Sequence, residues 1–358
     1  MRLLTCLFAF LFVLLAAPQA HALLYSLTDL GLGPNSEADA INNSGMIAAD
    51  TDGFPVQGYS YSGGINTSIG ALGTIGAQAI GMNNAGTIVG GSAPPSSATH
   101  AFSWSGGVMT DLGTLGGAGG NTNAIAINDS GVVTGSSDPG TGNPLAFVYS
   151  GGTMTSIGTM GGSQSQGNGI NNAGTITGYS NLTGDTASHA FSWSSGTFTD
   201  LGTLGGTNSI GNGINSSGMI VGESTLVGDT VAHAFLWNGG TMTDLGSFGG
   251  TVTLANSINS SGDIVGQSEL AGNTATDGFI YTGGTMIDLN SVLDSSGAGW
   301  TVYFGTGIND SGLISAVGFK GGQSYAILLT PVPEPASLFT FTTGIILLGA
   351  VTRRRFRS

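Results

Sequence analysis

The sequence has almost no basic side chains between its two ends. Of the six lysine and arginine residues, only Lys320 lies between Leu23 and Val332, whereas nineteen of the twenty acidic residues lie there, which gives that stretch a formal charge of −18. Binding to nucleic-acid phosphates depends on clustered lysine and arginine, so this charge argues against a nucleic-acid partner. Divalent cations and neutral polymers such as polysaccharides would meet no such repulsion.

Cysteine is nearly absent as well. The one cysteine, Cys6, lies in a segment that we expect to be removed, so the mature chain has no disulfide, no thiolate metal site and no cysteine nucleophile. Charged residues are 7% of the chain and 65 of its 358 residues are glycine, yet 40% are hydrophobic. These apolar residues recur regularly and can fill a layered β core, which argues against a disordered linker.

A repeated element dominates what is present. An Ile-Asn-x-Ser/Ala-Gly-like element recurs seven times, and its asparagines are separated by 41, 45, 43, 44, 44 and 50 residues. The seven are Asn42, Asn83, Asn128, Asn171, Asn215, Asn259 and Asn309. A period of roughly 40–45 residues with short strands and glycine turns is the length of one four-stranded propeller blade. The length of the chain therefore reflects one repeat domain, residues 23–330, instead of several different domains.

The clearest repeat, residues 209–250, predicts four short strands. They are 209–215, 219–224, 232–237 and 241–246, joined by two tight glycine turns and one longer polar loop. In the third strand, Phe235 and Trp237 fall on one face and Ala234 and Leu236 on the other. Apolar groups on both faces suit a sheet that lies between neighbouring blades.

The two ends of the repeat array complement each other. A strand of the fourth type, residues 25–31, precedes the first asparagine element, and the last repeat has no fourth strand of its own. Pairing of this N-terminal strand with residues 325–329 would complete the last blade and leave only short sheet edges. We therefore predict an all-β, seven-bladed β-propeller of roughly 44-residue repeats; the alternative is a β-helix or other solenoid.

Both termini look like processing signals. Residues 1–22 contain Arg2, an apolar run and an A-x-A cleavage signature at Ala20 and Ala22, which predicts a secretory signal peptide. At the other end, residues 331–337 contain Pro333, Glu334 and Pro335. An apolar segment, 338–352, and a basic tail, 353–358, follow, and the tail carries Arg353, Arg354, Arg355 and Arg357. We predict that the apolar segment is transmembrane, although it reaches the lower limit of about 17 residues for a span only when residues 336 and 337 are included. The arginines favour a cytoplasmic C-terminus.

This order of Pro-Glu-Pro motif, apolar segment and arginine cluster resembles the PEP-CTERM sorting signal of Gram-negative bacteria that make exopolysaccharide. The resemblance covers about the last 27 residues and implies that an exosortase recognises Pro333, Glu334 and Pro335 and cuts nearby. It also implies a transient inner-membrane intermediate before release to the cell surface or the medium. A permanent C-terminal anchor is the alternative.

The repeats themselves resemble the HAF-repeat family of bacterial extracellular proteins, named for the tripeptide His-Ala-Phe. That tripeptide occurs at residues 100–102, 189–191 and 233–235, whereas 145–147, 277–279 and 325–327 depart from it. The resemblance covers essentially all of residues 23–330. It implies export and repetition and no particular chemistry.

The candidate chemical groups repeat in register. His100, His189 and His233 occupy equivalent positions in different blades, too far apart for one Zn²⁺; hydrogen bonds to Asp185 or Asp229 are the expected role. A second in-register set is expected to cap turns or pair with neighbouring blades: Asp29, Asp111, Asp200, Asp244 and Asp288. An acid–base pair needs two carboxyls at one place, so no catalytic residue is predicted.

Loop oxygens are the remaining candidates for a cofactor. Ca²⁺ prefers such ligands, and the candidate set for it is Asn181, Asp185, Asp229, Asn273 and Asp277. The alternative is that these side chains are loop residues that contact only solvent. Apart from this Ca²⁺ site we expect no metal or cofactor. The glycine-rich stretches 112–117, 201–206 and 245–250 lack the Gly-Lys-Ser/Thr ending of a phosphate loop. We interpret them as connections between blades.

Together these observations predict an exported, non-enzymatic cell-surface or matrix protein. Its expected partners are signal peptidase and exosortase during export, and exopolysaccharide or another surface protein afterwards. A secreted carbohydrate-active enzyme on the same scaffold is the alternative, and it predicts an asymmetric cluster of carboxyls or histidines in one or two blades. The acids look evenly spread along the sequence, which favours the first hypothesis. The long last interval, residues 290–299, is expected either to plug or rim one face or to adjust the ring where it closes.

Overall fold

The computed structural model describes residues 23–95, 98–116 and 119–333, and these residues form 28 β-strands. The signal peptide, most of the sorting motif, the apolar segment and the basic tail predicted above lie outside the described residues. The strands are grouped in four-stranded units along the chain, as the repeat predicts.

The strands before and in the first three units are β1 (Tyr25–Asp29), β2 (Ser36–Ile41), β3 (Ile47–Thr51), β4 (Val56–Ser62), β5 (Ile65–Ser68), β6 (Gly76–Met82), β7 (Ile88–Ser92), β8 (His100–Ser105), β9 (Val108–Gly113), β10 (Thr122–Ile127), β11 (Val133–Ser137), β12 (Leu145–Ser150) and β13 (Thr153–Gly158). The next two units contain β14 (Gly161–Ile170), β15 (Ile176–Leu182), β16 (Ser188–Ser194), β17 (Thr197–Asp200), β18 (Gly205–Ile214), β19 (Ile220–Leu226), β20 (Ala232–Asn238) and β21 (Thr241–Asp244). The last strands are β22 (Gly249–Ile258), β23 (Ile264–Leu270), β24 (Thr276–Thr282), β25 (Thr285–Asp288), β26 (Thr301–Ile308), β27 (Ile314–Lys320) and β28 (Gln323–Pro331).

Each blade is an antiparallel meander whose first strand lies at the centre of the ring. Blade 1 is β2–β5, and the units that follow are blades 2 to 6, each with four strands. In blades 4 to 6 the first strand begins in the Gly-Gly of the preceding connection, which is several residues earlier than the sequence suggests. Short parallel contacts, such as Val56 with Gly76 and Gln57 with Ala77, join the third strand of one blade to the first strand of the next.

The seventh blade confirms the predicted closure. Its order is β26, β27, β28 and β1, so the N-terminal strand is its outermost strand. β1 pairs antiparallel with β28 over five residues, with Tyr25 opposite Pro331 and Asp29 opposite Ile327. Tyr25 is 1% exposed. The fold is therefore the predicted seven-bladed propeller, and the solenoid alternative is wrong.

Two turn types recur around the ring. The asparagine turn occurs in all seven blades, and the turn between the third and fourth strands occurs in blades 1 to 6, because the fourth strand of blade 7 is the N-terminal strand. The Asn-x-Ser/Ala-Gly element is the turn between the first two strands, in which Gly45 donates its N–H to the Asn42 carbonyl at 3.0 Å with φ of +79°. Glycine is favoured there because a side chain is strained at positive φ. The third and fourth strands are joined by pairs such as Gly63-Gly64, both with positive φ, the requirement of a tight hairpin turn.

The hydrophobic core lies between blades. The third-strand phenylalanines Phe102, Phe147, Phe191, Phe235 and Phe279 are completely buried. Phe235 and Ile220 of blade 5, for example, pack with Ala190 and Leu201 of blade 4. Burying each such side chain contributes about 1.5–3 kcal/mol, so each blade depends on its neighbours for stability.

The long last interval adjusts the closure and does not plug the channel. It forms two short 3-10 helices, Leu289–Val292 and Ser295–Gly297, against the outer edge of β1. Asp294 donates its N–H to the Tyr25 carbonyl at 2.8 Å, and the Leu27 N–H donates to Ser296 Oγ at 2.7 Å. None of the residues lining the central channel comes from this segment. The extra residues satisfy backbone groups that an outermost strand leaves exposed.

Candidate functional site

The seven repeated asparagines form a closed ring of hydrogen bonds around the propeller axis. The Nδ2 of each one donates to the main-chain carbonyl of the next asparagine, at 2.9–3.3 Å, and Asn309 returns to the Asn42 carbonyl. Each Oδ1 accepts the N–H of the residue four positions later. We call these seven residues the Asn ring. It joins all seven blades at one end of the channel.

A cavity of about 310 Å³ lies at the Asn ring. The residues after the ring asparagines also contact one another; the Asn84 N–H donates to Asp129 Oδ1 at 2.9 Å, for example. Burial raises the pKa of Asp129, but hydrogen bonds from Asn172 and Asn84 outweigh it and lower the pKa overall. Ser260 lowers the pKa of Asp310 in a similar way. Both carboxylates are therefore hydrogen-bonded within the protein at this end of the channel.

A second ring lines the middle of the channel. Every first strand has a β-bulge two residues before its last residue, and the bulged residue faces the channel. We call these residues the bulge ring: Asp39, Ile80, Ile125, Asn168, Asn212, Asn256 and Thr306. A bulge leaves its extra residue unpaired and redirects its side chain, so these side chains are free to vary between blades.

The other end of the channel opens into the largest of these cavities, about 630 Å³, which we call the wide mouth. Its polar lining includes Asn123, Gln166, Asn168, Tyr179, Asn212 and Asn256, with Ile80, Ile125 and Ile210 between them. Asp39 is the one carboxyl among the described residues that line it, and there is no lysine or arginine. The volume falls within the roughly 300–1,000 Å³ of small-ligand sites.

An acidic cluster stands beside the wide mouth in blade 1. It comprises Glu37 and Asp39 around β2 and Asp50 and Asp52 around β3, with Glu37 directly opposite Asp50. Burial raises the pKa of Asp39 well above its usual range, and the charges of Asp50, Glu37 and Asp52 raise it further. Burial and the charges of Glu37 and Asp52 raise the pKa of Asp50 to about 7, against a smaller opposite effect of a Gln78 hydrogen bond.

The expectation that the acidic residues are evenly spread is therefore wrong for their positions in the folded structure. Four of them meet in one blade, which is the asymmetry that the enzyme hypothesis predicts. The signal was present in the sequence as Glu37, Asp39, Asp50 and Asp52 within sixteen residues. The sequence alone does not show that these residues form a cluster. The hairpin register and the bulge bring them to one face and place Asp39 in the channel.

The three histidines form a repeated hydrogen bond, as predicted, but the predicted partners are wrong. His100, His189 and His233 each bring Nδ1 to 2.9 Å from a fourth-strand carboxylate of the same blade, Asp111, Asp200 and Asp244 respectively. The same carboxylates accept the N–H of Gly113, Gly202 and Gly246 and so cap the turn, as predicted. Pairing with a neighbouring blade is wrong, because each carboxylate pairs within its own blade.

The loop oxygens proposed for Ca²⁺ largely bind protein groups. Asp185 Oδ1 accepts from the Ser163 N–H at 2.7 Å and from Asn181, and Asp229 Oδ1 accepts from the Thr207 N–H and from Thr225. Backbone hydrogen bonding lowers the pKa of both carboxyls. Within the described ranges, no three His, Cys, Asp or Glu side chains are grouped so that they could hold a metal ion.

The residues of the sorting motif fall at the limit of the described chain. Pro333 is the last described residue of the C-terminal part, and Glu334, Pro335, the arginine cluster, Ala20 and Ala22 lie outside it. In the part of the chain that is described, no helix has the length and apolar character that a membrane span requires.

Comparison with solved structures supports the propeller fold. The β-propeller domain of the Trilobed protease from Pyrococcus furiosus has a TM-score of 0.52 at 6% identity, covering 87% of this chain and 98% of that one. TolB from Acinetobacter baumannii has a TM-score of 0.41 at 12% identity, and the match covers 61% of each chain. A fucose-specific lectin from Aleuria aurantia has a TM-score of 0.39 at 14% identity, covering 71% of this chain and 96% of that one. No protein-family model matches the sequence, and no curated protein is similar to it. These likenesses concern the fold alone.

Proposed function

We propose that this protein is an exported, non-enzymatic surface or matrix protein that binds polysaccharide in the wide mouth of its propeller. The observation that supports binding is the lining of that cavity, where amides and one tyrosine from several blades converge beside three isoleucines. Amide groups donate and accept hydrogen bonds with hydroxyls, and the isoleucines provide apolar surface. A site with few placed polar groups among apolar ones is typical of ligand pockets.

A glycan array on the purified protein tests the binding proposal. We expect a defined set of oligosaccharides to bind, and Tyr179→Ala to weaken their binding at least about tenfold, because it removes an aromatic face and a hydroxyl from the cavity wall. Tyr59→Ala is the matched control, since the Tyr59 hydroxyl contacts Gln57 and does not line the channel. An array with no bound glycan would contradict polysaccharide binding and favour a protein partner.

Export and sorting rest on the sequence signals alone. We propose that signal peptidase removes residues 1–22 and that an exosortase processes the chain at Pro333-Glu334-Pro335. In a Gram-negative host with an exosortase, we expect the wild type to reach the surface or the medium and Glu334→Gln to accumulate in the inner membrane. Equal processing and release of the two chains would contradict this sorting.

A carbohydrate-active enzyme is a second candidate because of one observation, the acidic cluster of blade 1. Its carboxyls have raised pKa values, and a carboxyl that stays protonated near neutral pH can act as a general acid. We expect no release of reducing ends when the protein is incubated with a glycan that it binds. Release that disappears in Asp50→Asn would establish the enzyme instead.

A further inference from the structure

Asp39 does not follow the hydrogen-bonding pattern of the other polar residues in the bulge ring. In blades 4, 5 and 6 the bulge-ring residue is asparagine, and its Nδ2 donates across the blade boundary to the carbonyls of Gly211, Ala255 and Gly305, at 2.9, 3.0 and 2.9 Å. Thr306 donates in the same way to Ala38. An ionised carboxylate has no proton to donate. Blade 1 therefore has a carboxyl at a register position where four other blades donate a hydrogen bond across the blade boundary, and its Oδ2 has no hydrogen-bond partner.

Asp39 and Asp50 each have one carboxyl oxygen without a partner. Asp39 Oδ2 and Asp50 Oδ2 are both buried without a hydrogen-bond partner, and Asp50 is 2% exposed. Among the described residues, the ion pairs are the three His–Asp contacts of blades 2, 4 and 5, and none involves a carboxyl of the cluster. The one lysine there, Lys320, lies over the ring of Trp300 at 4.8 Å. Buried carboxylates without a partner are costly. In the free protein the raised pKa of Asp39 favours its protonated form, and a cation from outside the chain would favour the ionised form instead.

We propose that Asp39 binds the ammonium group of an amino sugar, so that the polysaccharide bound in the wide mouth is one with free amines. This inference rests on the proposed polysaccharide binding and specifies its ligand class. Asp39 lines the wide mouth together with the amides of Asn123, Gln166 and Asn168. The ammonium lies against the Asp39 carboxylate, and those amides hydrogen-bond the sugar hydroxyls. The ion pair adds charge-assisted hydrogen bonds to Asp39, which are stronger than neutral ones.

A metal ion fits the cluster less well than an ammonium group does. Ca²⁺ takes six to eight oxygen ligands at short distance, and no group of three such side chains in the described chain is arranged to hold a metal. An ammonium group has three donors and needs fewer acceptors. Its attachment to a sugar also accounts for the position of Asp39 beside the amide-lined cavity.

The repeat supplies the variant that tests this ligand class. Asp39→Asn removes the negative charge and installs the residue that Asn168, Asn212 and Asn256 have at the same position, so the fold tolerates it. Asp138→Asn is the matched control. Asp138 Oδ1 accepts three loop N–H groups, from Gly140, Thr141 and Gly142, which an asparagine oxygen can also accept, and Asp138 does not line the channel.

The experiment measures binding of two oligomers to the full chain by calorimetry at neutral pH. One is a β-1,4-linked glucosamine hexamer and the other is its fully N-acetylated counterpart. We expect the wild type and Asp138→Asn to prefer the amine form at least tenfold. We expect Asp39→Asn to lose that preference, and the wild-type preference to decrease in high salt because salt screens an ion pair.

Four results would overturn the proposal. If the two hexamers bind equally to the wild type, or if Asp39→Asn keeps the preference, the ammonium site is wrong while polysaccharide binding stands. If millimolar Ca²⁺ displaces the amine hexamer, the cluster is a metal site. If neither hexamer binds and the glycan array is also empty, polysaccharide binding and this inference fail together.

Discussion

At the scale of single residues, one asparagine per blade joins the local turn to the whole ring. Its Oδ1 holds the turn that follows it, and its Nδ2 binds the next blade. Asn171, for example, accepts from the N–H groups of Ala173 and Thr175 at 3.1 and 3.0 Å and donates to the Asn215 carbonyl at 3.2 Å. Asparagine suits this place because its amide group both donates and accepts. Aspartate or serine would lose one of these contacts.

Asn171→Ala should therefore be strongly destabilising. The substitution leaves two N–H groups and one carbonyl at a buried site without partners, at a cost of about 2–4 kcal/mol in the free energy of unfolding. Denaturant unfolding followed by circular dichroism measures this. Asn172→Ala is the control, because Asn172 is exposed and should cost less than about 1 kcal/mol. Similar losses in the two variants would contradict a special role for the Asn ring.

Asp50 should make the stability depend on pH. Its pKa is raised from 3.8 to about 7 by burial and by Glu37 and Asp52, so the folded state holds a proton that the unfolded state releases above pH 4. Stability is then fullest below the unfolded pKa and is lost as pH rises through about 7, by up to about 4 kcal/mol.

Thermal unfolding of the wild type and Asp50→Asn between pH 5 and pH 8 measures this dependence. We expect the wild-type Tm to decrease across that interval and the Asp50→Asn Tm to decrease less, so that the variant is the more stable protein at pH 8. Asp138→Asn removes the same charge outside the cluster and should keep the wild-type profile. A wild-type Tm that rises with pH would contradict the raised pKa of Asp50.

At the scale of elements, the connection before the last blade differs from the other connections because it covers a strand edge. The other connections join a fourth strand to the next first strand by a short glycine-rich stretch. The connection before blade 7 instead runs along the outer edge of β1, with a backbone contact between Tyr25 and Leu293 and the Ser296 hydroxyl at Leu27. Its Leu293 and Val292 pack on the core of the last blade. The element covers a strand that no further strand protects.

Replacing residues 290–299 with Gly-Thr-Leu-Gly-Gly should expose that edge. We expect a Tm lowered by several degrees, because the backbone groups of β1 and the core beneath Leu293 become accessible to water. We also expect concentration-dependent dimers in size-exclusion chromatography with light scattering, since an exposed edge can pair with a second copy. Ser296→Ala removes one hydrogen bond and should stay monomeric. A replacement that remains monomeric with the wild-type Tm would contradict the protective role.

The blades and the ring closure could be predicted from the sequence, but the acidic cluster could not. The period and the surplus fourth-type strand near Tyr25 predict the blades and the closure, because both follow from counting local patterns. The acidic cluster depends on the register of Glu37 opposite Asp50 and on the bulge at Asp39, which local patterns do not specify. The partners of His100, His189 and His233 were wrong because a hairpin brings an aspartate eleven residues away nearer than one in the adjoining loop.

At the scale of the whole molecule, a single N-terminal strand closes the ring. β1 places Tyr25 and Leu27 in the core of the last blade and gives β28 its outer partner. Leu30, just after β1, is 3% exposed and packs with residues of blade 1, including Ala38 and Ile47. The strand thus joins the last blade to the first at the outside of the ring, as the contact from Asn309 to Asn42 does at the centre.

Deletion of residues 24–33 should destabilise every blade. Burial of Tyr25, Leu27 and Leu30 contributes about 1.5–3 kcal/mol for each side chain, and the pairing of β28 is lost as well. Because each blade packs only against its neighbours, opening the ring at one boundary exposes both blades there. We expect the Tm to decrease by more than about 10 °C in calorimetry. Leu24→Ser, at a residue that is 39% exposed, is the control and should change the Tm little.

A permuted chain separates loss of the strand from loss of its position in the sequence. Tyr25 lies opposite Pro331 in an antiparallel pair, so a two-residue Asn-Gly turn after Pro331 can lead directly into residues 25–33 as a hairpin, with the new chain beginning at Pro34. In this permutant the strand keeps its position beside β28 but belongs to the C-terminal end of the chain. We expect this permutant to recover most of the Tm that the deletion loses. A deletion without effect, or a permutant as unstable as the deletion, would show that β1 does not close the ring.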